Sequence, residues 1–161
     1  MLVTMKEILD RAKKDNYGVT SIMVDRSSLS YEDNIAQTKE TVKMCRPLNI
    51  SVEAELGHVG QSEDYSSDGS DHFTKPEEVK KFVEETGIDC LAVAIGTAHG
   101  RYHGTPHIDF DLLKQITDVV DIPLVLHGGS GTGDENLRKA VKNGIQKVNL
   151  ATEPVSYTHL T

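Results

Sequence analysis

The sequence predicts an α/β fold in which about five parallel strands form a sheet covered by helices. Three observations carry this. Short apolar runs alternate with amphipathic helical patterns along the chain, the order that builds parallel sheets. Two runs, Cys90-Leu-Ala-Val-Ala-Ile-Gly96 and Pro123-Leu-Val-Leu126, are apolar throughout, as strands buried on both faces are. Polar residues able to do chemistry recur at the C-terminal ends of the runs, where parallel α/β folds bind ligands.

The elements follow in order. Met5, Ile8, Leu9 and Ala12 share one face of a first helix over Met5 to Lys14. Ser21 to Asp25 is the first strand run. Ile35, Thr38, Val42 and Cys45 mark a helix with a polar start at Ser30, and Ile50 to Leu56 is the second run. Thr74-Lys-Pro-Glu77 reads as a capping box with proline in the first turn; Val79, Phe82 and Val83 then face inward until Gly87 stops the helix. Asp89 to Gly96 is the third run. Leu112, Leu113, Ile116, Val119 and Val120 form the next helix, and Pro123 to Leu126 the fourth run. Thr132-Gly-Asp-Glu135 reads as a second capping box, with Leu137, Ala140 and Val141 inward and Gly144 as the stop. Gln146 to Ala151 is the fifth run. The pattern fits an open doubly wound sheet or a closed barrel. A full (β/α)8 barrel needs about 250 residues, so a barrel here is incomplete. Gly57 to Phe73 is a long polar loop, which predicts a functional lid.

Bulk properties narrow the partners. The chain has 161 residues and a net charge of −8, with no stripe of Lys and Arg, so nucleic acid is not an expected partner. No apolar run approaches the roughly 20 residues of a membrane span, and no signal-peptide pattern opens the chain. Cys45 and Cys90, each in an apolar segment, fit reduced thiols in a cytoplasmic protein.

Chemistry concentrates at the strand ends. His99 and His127 each precede a glycine on consecutive predicted strands, and neutral imidazole is the commonest metal ligand. A catalytic zinc takes three protein ligands and keeps an open position. Gly128-Gly-Ser-Gly131 runs into a predicted helix start, where bare amides favour an anion. Asn149-Leu-Ala-Thr152 follows the fifth run, so its loop is expected beside the glycine loop, together a phosphate site. Asp25 and Glu55 end consecutive strands and are able to hold a cation or form a solvated pair. Glu63, in the long loop, is a carboxylate that reaches a site if the lid closes.

The stretches VEAELG, GTAHG, LHGGSG and NLAT, in this order and spacing, resemble the class II, zinc-dependent fructose-bisphosphate and tagatose-bisphosphate aldolases. SIMVDRSSLSYEDNIAQTKE resembles the family segment between the third and fifth barrel units, and the resemblance covers about Met1 to Glu153. It implies a (β/α)8 barrel, here incomplete, that cleaves a ketose bisphosphate reversibly into dihydroxyacetone phosphate and glyceraldehyde 3-phosphate. His99 and His127 match two of three zinc ligands. Gly100, Gly128, Gly129, Ser130, Asn149, Leu150, Ala151 and Thr152 match positions holding the dihydroxyacetone phosphate moiety. Glu63 matches a loop carboxylate implicated in proton transfer, and Asp25 and Glu55 match acidic positions that take a second cation. The resemblance also implies a homo-oligomer.

Two departures stand out. The family's Leu-His-x-Asp-His motif, which carries the catalytic Asp and the third zinc-ligating His, is absent from this sequence. Val19 and Thr20 adjoin segments that the family separates by three strands, which predicts a partial barrel domain over residues 1–153 with an internal deletion near 19–20. Residues 154–161 fall outside the family pattern. Low or no activity is the expectation.

Overall fold

The computed structural model of the chain describes residues 7, 9–10, 18–60, 72–100, 102 and 104–152. One sheet forms its centre: β1 (Ser21–Val24), β2 (Ser51–Leu56), β3 (Cys90–Val93), β4 (Leu124–Leu126) and β5 (Ile145–Val148). The strands lie in chain order and every neighbouring pair is parallel. Four helices cross between them: α1 (Tyr31–Cys45), α2 (Pro76–Thr86), α3 (Phe110–Thr117) and α4 (Asp134–Lys142).

This order separates the two architectures. A doubly wound sheet reverses its strand order at a switch point. Here each crossover moves one place in the same direction, as in a barrel. The sheet also curls. Lys147 on β5 reaches Glu53 on β2 at 2.5 Å. Three strand spacings separate them, roughly 14 Å in a flat sheet. The fold is an incomplete barrel of five strands.

The faces of the sheet are chemically distinct. Along β2, Val52, Ala54 and Leu56 join the core under the helices, with Val42, Val79, Phe82, Leu91 and Leu113. Glu53 and Glu55 alternate onto the concave face, each 1% exposed. Leu9 is buried in the core. Glu7, Leu9 and Asp10 are helical, and the rest of the predicted first helix lies outside the described residues. Cys45 and Cys90 are both free thiols.

Both predicted capping boxes are corrected. Neither threonine caps a helix. Thr74 is fully enclosed; its hydroxyl donates to Leu56 O at 2.5 Å and accepts from Ala94 N at 2.8 Å, joining the ends of β2 and β3. α2 starts one residue later, with Lys75 at its N-cap and Pro76 opening the helix. The Thr132 hydroxyl donates to Gly128 O at 3.1 Å, and Gly133 is the N-cap of α4. Thr74 goes to the buried carbonyl at the end of β2 and Thr132 to a part-buried carbonyl in the loop after β4, so each hydroxyl is taken by a nearby main-chain oxygen instead of the helix start. Val141 is also corrected: it is 57% exposed, since α4 packs at the sheet edge and buries only Ala140. Val119 lies past the end of α3 and is exposed.

True caps sit at the other two helices. The Ser30 hydroxyl accepts from Asp33 N at 3.2 Å at the start of α1. Asp109 Oδ1 accepts from Leu112 N at 2.8 Å at the start of α3. Asp109→Ala should lower stability by about 1 kcal/mol, the usual cost of an N-cap. A urea midpoint equal to wild type would show that the cap contributes nothing.

Candidate metal centre

The functional side chains arrive from the C-terminal ends of consecutive strands. Glu55 is the penultimate residue of β2, His127 follows β4 directly, and His99 stands in the loop after β3. One ligand atom from each of Glu55, His99 and His127 lies within 4.8 Å of the other two. The His99 and His127 ring centroids are 5.7 Å apart.

Each of the three is positioned by local bonds. Glu55 Oε1 accepts from Val59 N at 2.9 Å, leaving Oε2 to face His127. Its main-chain carbonyl accepts from the buried Asn34 Nδ2 on α1 at 3.0 Å. His99 N donates to Gly60 O at 2.8 Å, which ties the loop after β3 to the loop after β2. His127 is clamped between two carboxylates, with Nδ1 2.9 Å from Glu55 Oε2 and Nε2 2.8 Å from Glu53 Oε1.

The electrostatics follow from that clamp. Burial opposes charge on His127, yet its hydrogen bonds to Glu53 and Glu55 and their negative charges outweigh burial and push it up to about 9. Burial likewise works against the Glu53 anion, but hydrogen bonds and charge from His127 and Lys147 hold its carboxyl below the ordinary value. Burial, then the Glu53 charge, pushes the Cys90 thiol up to about 11. Without metal, the clamp therefore favours the charged form of His127.

A stability profile follows. The His127 contribution is complete below its unfolded value of 6.5 and is lost as pH rises towards about 9. The Glu53 contribution has the opposite sense: it is present above 4.5 and lost on acidification. The metal-free chain should unfold more easily at pH 9.5 than at pH 6, by on the order of 3 kcal/mol from His127. Denaturant unfolding at the two pH values measures it; equal stabilities would contradict the bridge.

The donor set fits zinc. Two imidazole nitrogens and a carboxylate oxygen converging in a largely buried pocket match the His/Glu ligands of catalytic zinc sites.

Beside this group lie the two loops read as an anion site. Gly129 N donates to Asn149 O at 3.0 Å and Ala151 N donates to Ser130 Oγ at 3.0 Å, so the loops after β4 and β5 are neighbours. Gly128 and Gly131 have φ of +66° and +76°, in the left-handed region. Asp134 and Glu135 occupy the first turn of α4. Their charge works against an anion at that helix end, so the loop amides remain the feature suited to one. Gly100 is half-buried, next to His99, and Thr152 half-buried, while Leu150 and Ala151 are exposed.

Asp25 stands apart from the three-residue group. It is exposed, and its Oδ1 accepts from Ser27 N and Ser27 Oγ at 2.8 and 2.7 Å, shaping the loop after β1. Ser27 Oγ in turn meets His58 Nδ1 at 2.8 Å. Glu63, and most of the predicted lid, lie outside the described residues. Three residues in or beside the centre escaped assignment from sequence. Glu53 carries a signal in hindsight, since Glu53 and Glu55 share one strand face at spacing two, whereas Lys147 is placed by the irregularity in β5. The Tyr102 hydroxyl accepts from Ala98 N at 2.6 Å and lies 2.9 Å from Gly128 O, pinning the two histidine loops together. No sequence pattern marks it.

A curled parallel sheet carrying its convergent polar residues at the C-terminal mouth defines a fold of the (β/α)8 barrel class, here incomplete. Within that class, the chain belongs to the class-II fructose-bisphosphate aldolase family, whose model matches residues 3–158. Solved structures agree. The YdjI aldolase from Escherichia coli K12 is 40% identical with a TM-score of 0.78, over 96% of this chain and 52% of that one. A protein assigned as a fructose-1,6-bisphosphate aldolase from Coccidioides immitis is 37% identical with a TM-score of 0.80, over 96% and 55%. A fructose-bisphosphate aldolase from Campylobacter jejuni is 26% identical with a TM-score of 0.70, over 95% and 48%. The chain thus spans about half the length of these relatives. No helix among the described residues is long and apolar enough to cross a membrane.

Proposed function

We propose that this chain carries the zinc-binding and phosphate-binding part of a class II ketose-bisphosphate aldolase. The reaction is reversible retro-aldol cleavage of fructose 1,6-bisphosphate to dihydroxyacetone phosphate and glyceraldehyde 3-phosphate. The single observation that carries this is the convergence of Glu55, His99 and His127 at the mouth of the sheet. When bound there, zinc supplies Lewis-acid polarisation of the ketose carbonyl and stabilises enediolate charge. The protein residues do the rest. Glu55, His99 and His127 hold the ion. The loop from Gly128 to Ser130, with that from Asn149 to Thr152, holds the phosphate of the dihydroxyacetone phosphate moiety and orients the substrate. Gly100 lines the same mouth. Glu63 serves as the proton-transfer carboxylate, while Asp25, which turns back onto Ser27, leaves a second cation without a joint site with Glu55.

The Asp and third His of the family motif are missing from this sequence, so turnover by this chain is strongly impaired. That observation supports a second reading, a non-catalytic sugar-phosphate-binding protein. Tagatose 1,6-bisphosphate is the alternative substrate, differing at one hydroxyl. The test is zinc content per chain with a coupled aldol-cleavage assay on both bisphosphates. Zinc with slow cleavage supports the first reading. Binding of dihydroxyacetone phosphate without turnover supports the second. Absence of both zinc and phosphosugar binding refutes both.

A further inference from the structure

Glu53 is a buried acid that the aldolase reading leaves unused. It lies two residues before Glu55 on β2, roughly 7 Å deeper below the mouth. It is 1% exposed, so it meets no substrate. A carboxylate this deep is costly unless fully partnered. Its partners are all on the page. Oε1 accepts from His127 Nε2 at 2.8 Å, and Oε2 accepts from Lys147 Nζ at 2.5 Å, with Cys90 Sγ at 3.7 Å.

The placement of Lys147 comes from an irregularity in the sheet. Pairing of β4 with β5 passes from Leu124↔Ile145 to Val125↔Lys147, so Gln146 is an extra residue on β5. The Gln146 side chain fills the break, accepting from Leu124 N at 2.7 Å. Such a break re-aims the next side chain. Lys147 is turned to the concave face, where it meets Glu53 across the curl.

From this geometry we infer that Glu53, anchored by Lys147, is a positioning residue for the metal centre. In the zinc-bound state it would keep the Nε2–H of His127 pointing down and so leave Nδ1 for the ion on the Glu55 and His99 side. A neutral imidazole carries one N–H, and the hydrogen bond at one nitrogen decides which nitrogen is left for a metal. Glu55 shares the Nδ1 side and belongs to the convergent group; Glu53 shares the Nε2 side and does not. Glu53 acts through His127 and touches neither substrate nor ion. This inference rests on the zinc reading above.

The experiment measures Zn2+ affinity by chelator competition, and imidazole ¹⁵N shifts, on the whole chain. Wild type, Glu53→Met, Glu53→Gln and Lys147→Met are compared. Wild type should show zinc on His127 Nδ1 and a protonated, hydrogen-bonded Nε2. Glu53→Met removes the acceptor and should weaken zinc by about 10–100-fold, the usual cost of losing such a partner. Glu53→Gln keeps an acceptor oxygen and should recover most of that loss. Lys147→Met, whose side chain is half exposed, should fold and give a smaller loss. If Glu53→Met does not fold, the wild-type ring assignment and Lys147→Met decide. Zinc on Nε2 in the wild type, or wild-type affinity and ring shifts in the variants, overturns the positioning role and leaves the aldolase reading standing. A wild-type chain that takes up no zinc overturns both.

Discussion

His127→Ala should strip the chain of stoichiometric zinc. The wild type is expected to hold about one zinc per chain, because three donor atoms lie within 4.8 Å of one another on residues fixed by their own hydrogen bonds. Removing the imidazole leaves one carboxylate and one imidazole. The affinity loss should exceed the roughly 10–100-fold that follows from disturbing an outer partner. The same change leaves the buried Glu55 without its ring partner, while Glu53 keeps Lys147, and a buried acid left unpaired destabilises. His99→Ala separates the two effects. His99 is only half-buried, so this variant should fold, yet it also loses a ligand. Zinc measured by elemental analysis after dialysis, beside the unfolding curve of each variant, reads both. Full zinc occupancy in folded His99→Ala and His127→Ala would remove the centre from the site described here.

Gly128→Ala should cost about 2–5 kcal/mol and disorder the site with it. Two penalties combine. Gly128 has φ of +66°, and a left-handed conformation costs a residue with a Cβ about 1–2 kcal/mol. A Cβ there would also stand 2.2 Å from Ala98 O, a main-chain atom that has no free rotation to escape. Forcing the loops apart costs about 1–3 kcal/mol more. The loops that separate are those carrying His99 and His127, so zinc affinity should fall together with stability. Gly131→Ala is the comparison. Its φ of +76° imposes the same backbone penalty, but the added Cβ meets only a Tyr102 ring carbon at 3.2 Å. It should lose about 1–2 kcal/mol and keep most of its zinc affinity. Equal losses in the two variants would mean that the close approach to Ala98 does not matter.

Much of this protein can be read from its sequence, and the reasons are local. Alternating strand and helix patterns give a parallel α/β fold because each period buries one face. Uninterrupted CLAV and LVL mark central strands because both their faces are covered. Strand direction alone puts His99, His127 and Glu55 at one end of the sheet. The tertiary structure decided what depends on distance. Chain-order pairing and curl, visible in the Lys147–Glu53 contact, make the sheet a barrel segment, and no periodicity encodes curvature. Thr74 and Thr132 look like helix caps in sequence, but the carbonyls of Leu56 and Gly128 claim them. Asp25 and Glu55 look equivalent as strand-end acids. Asp25 turns back onto Ser27, while Glu55 is pinned by Val59 beside His127. Glu53 shows the division most clearly. Its alternation with Glu55 fixes the face it shares, but its partner sits 94 residues away, brought there by one extra residue in β5.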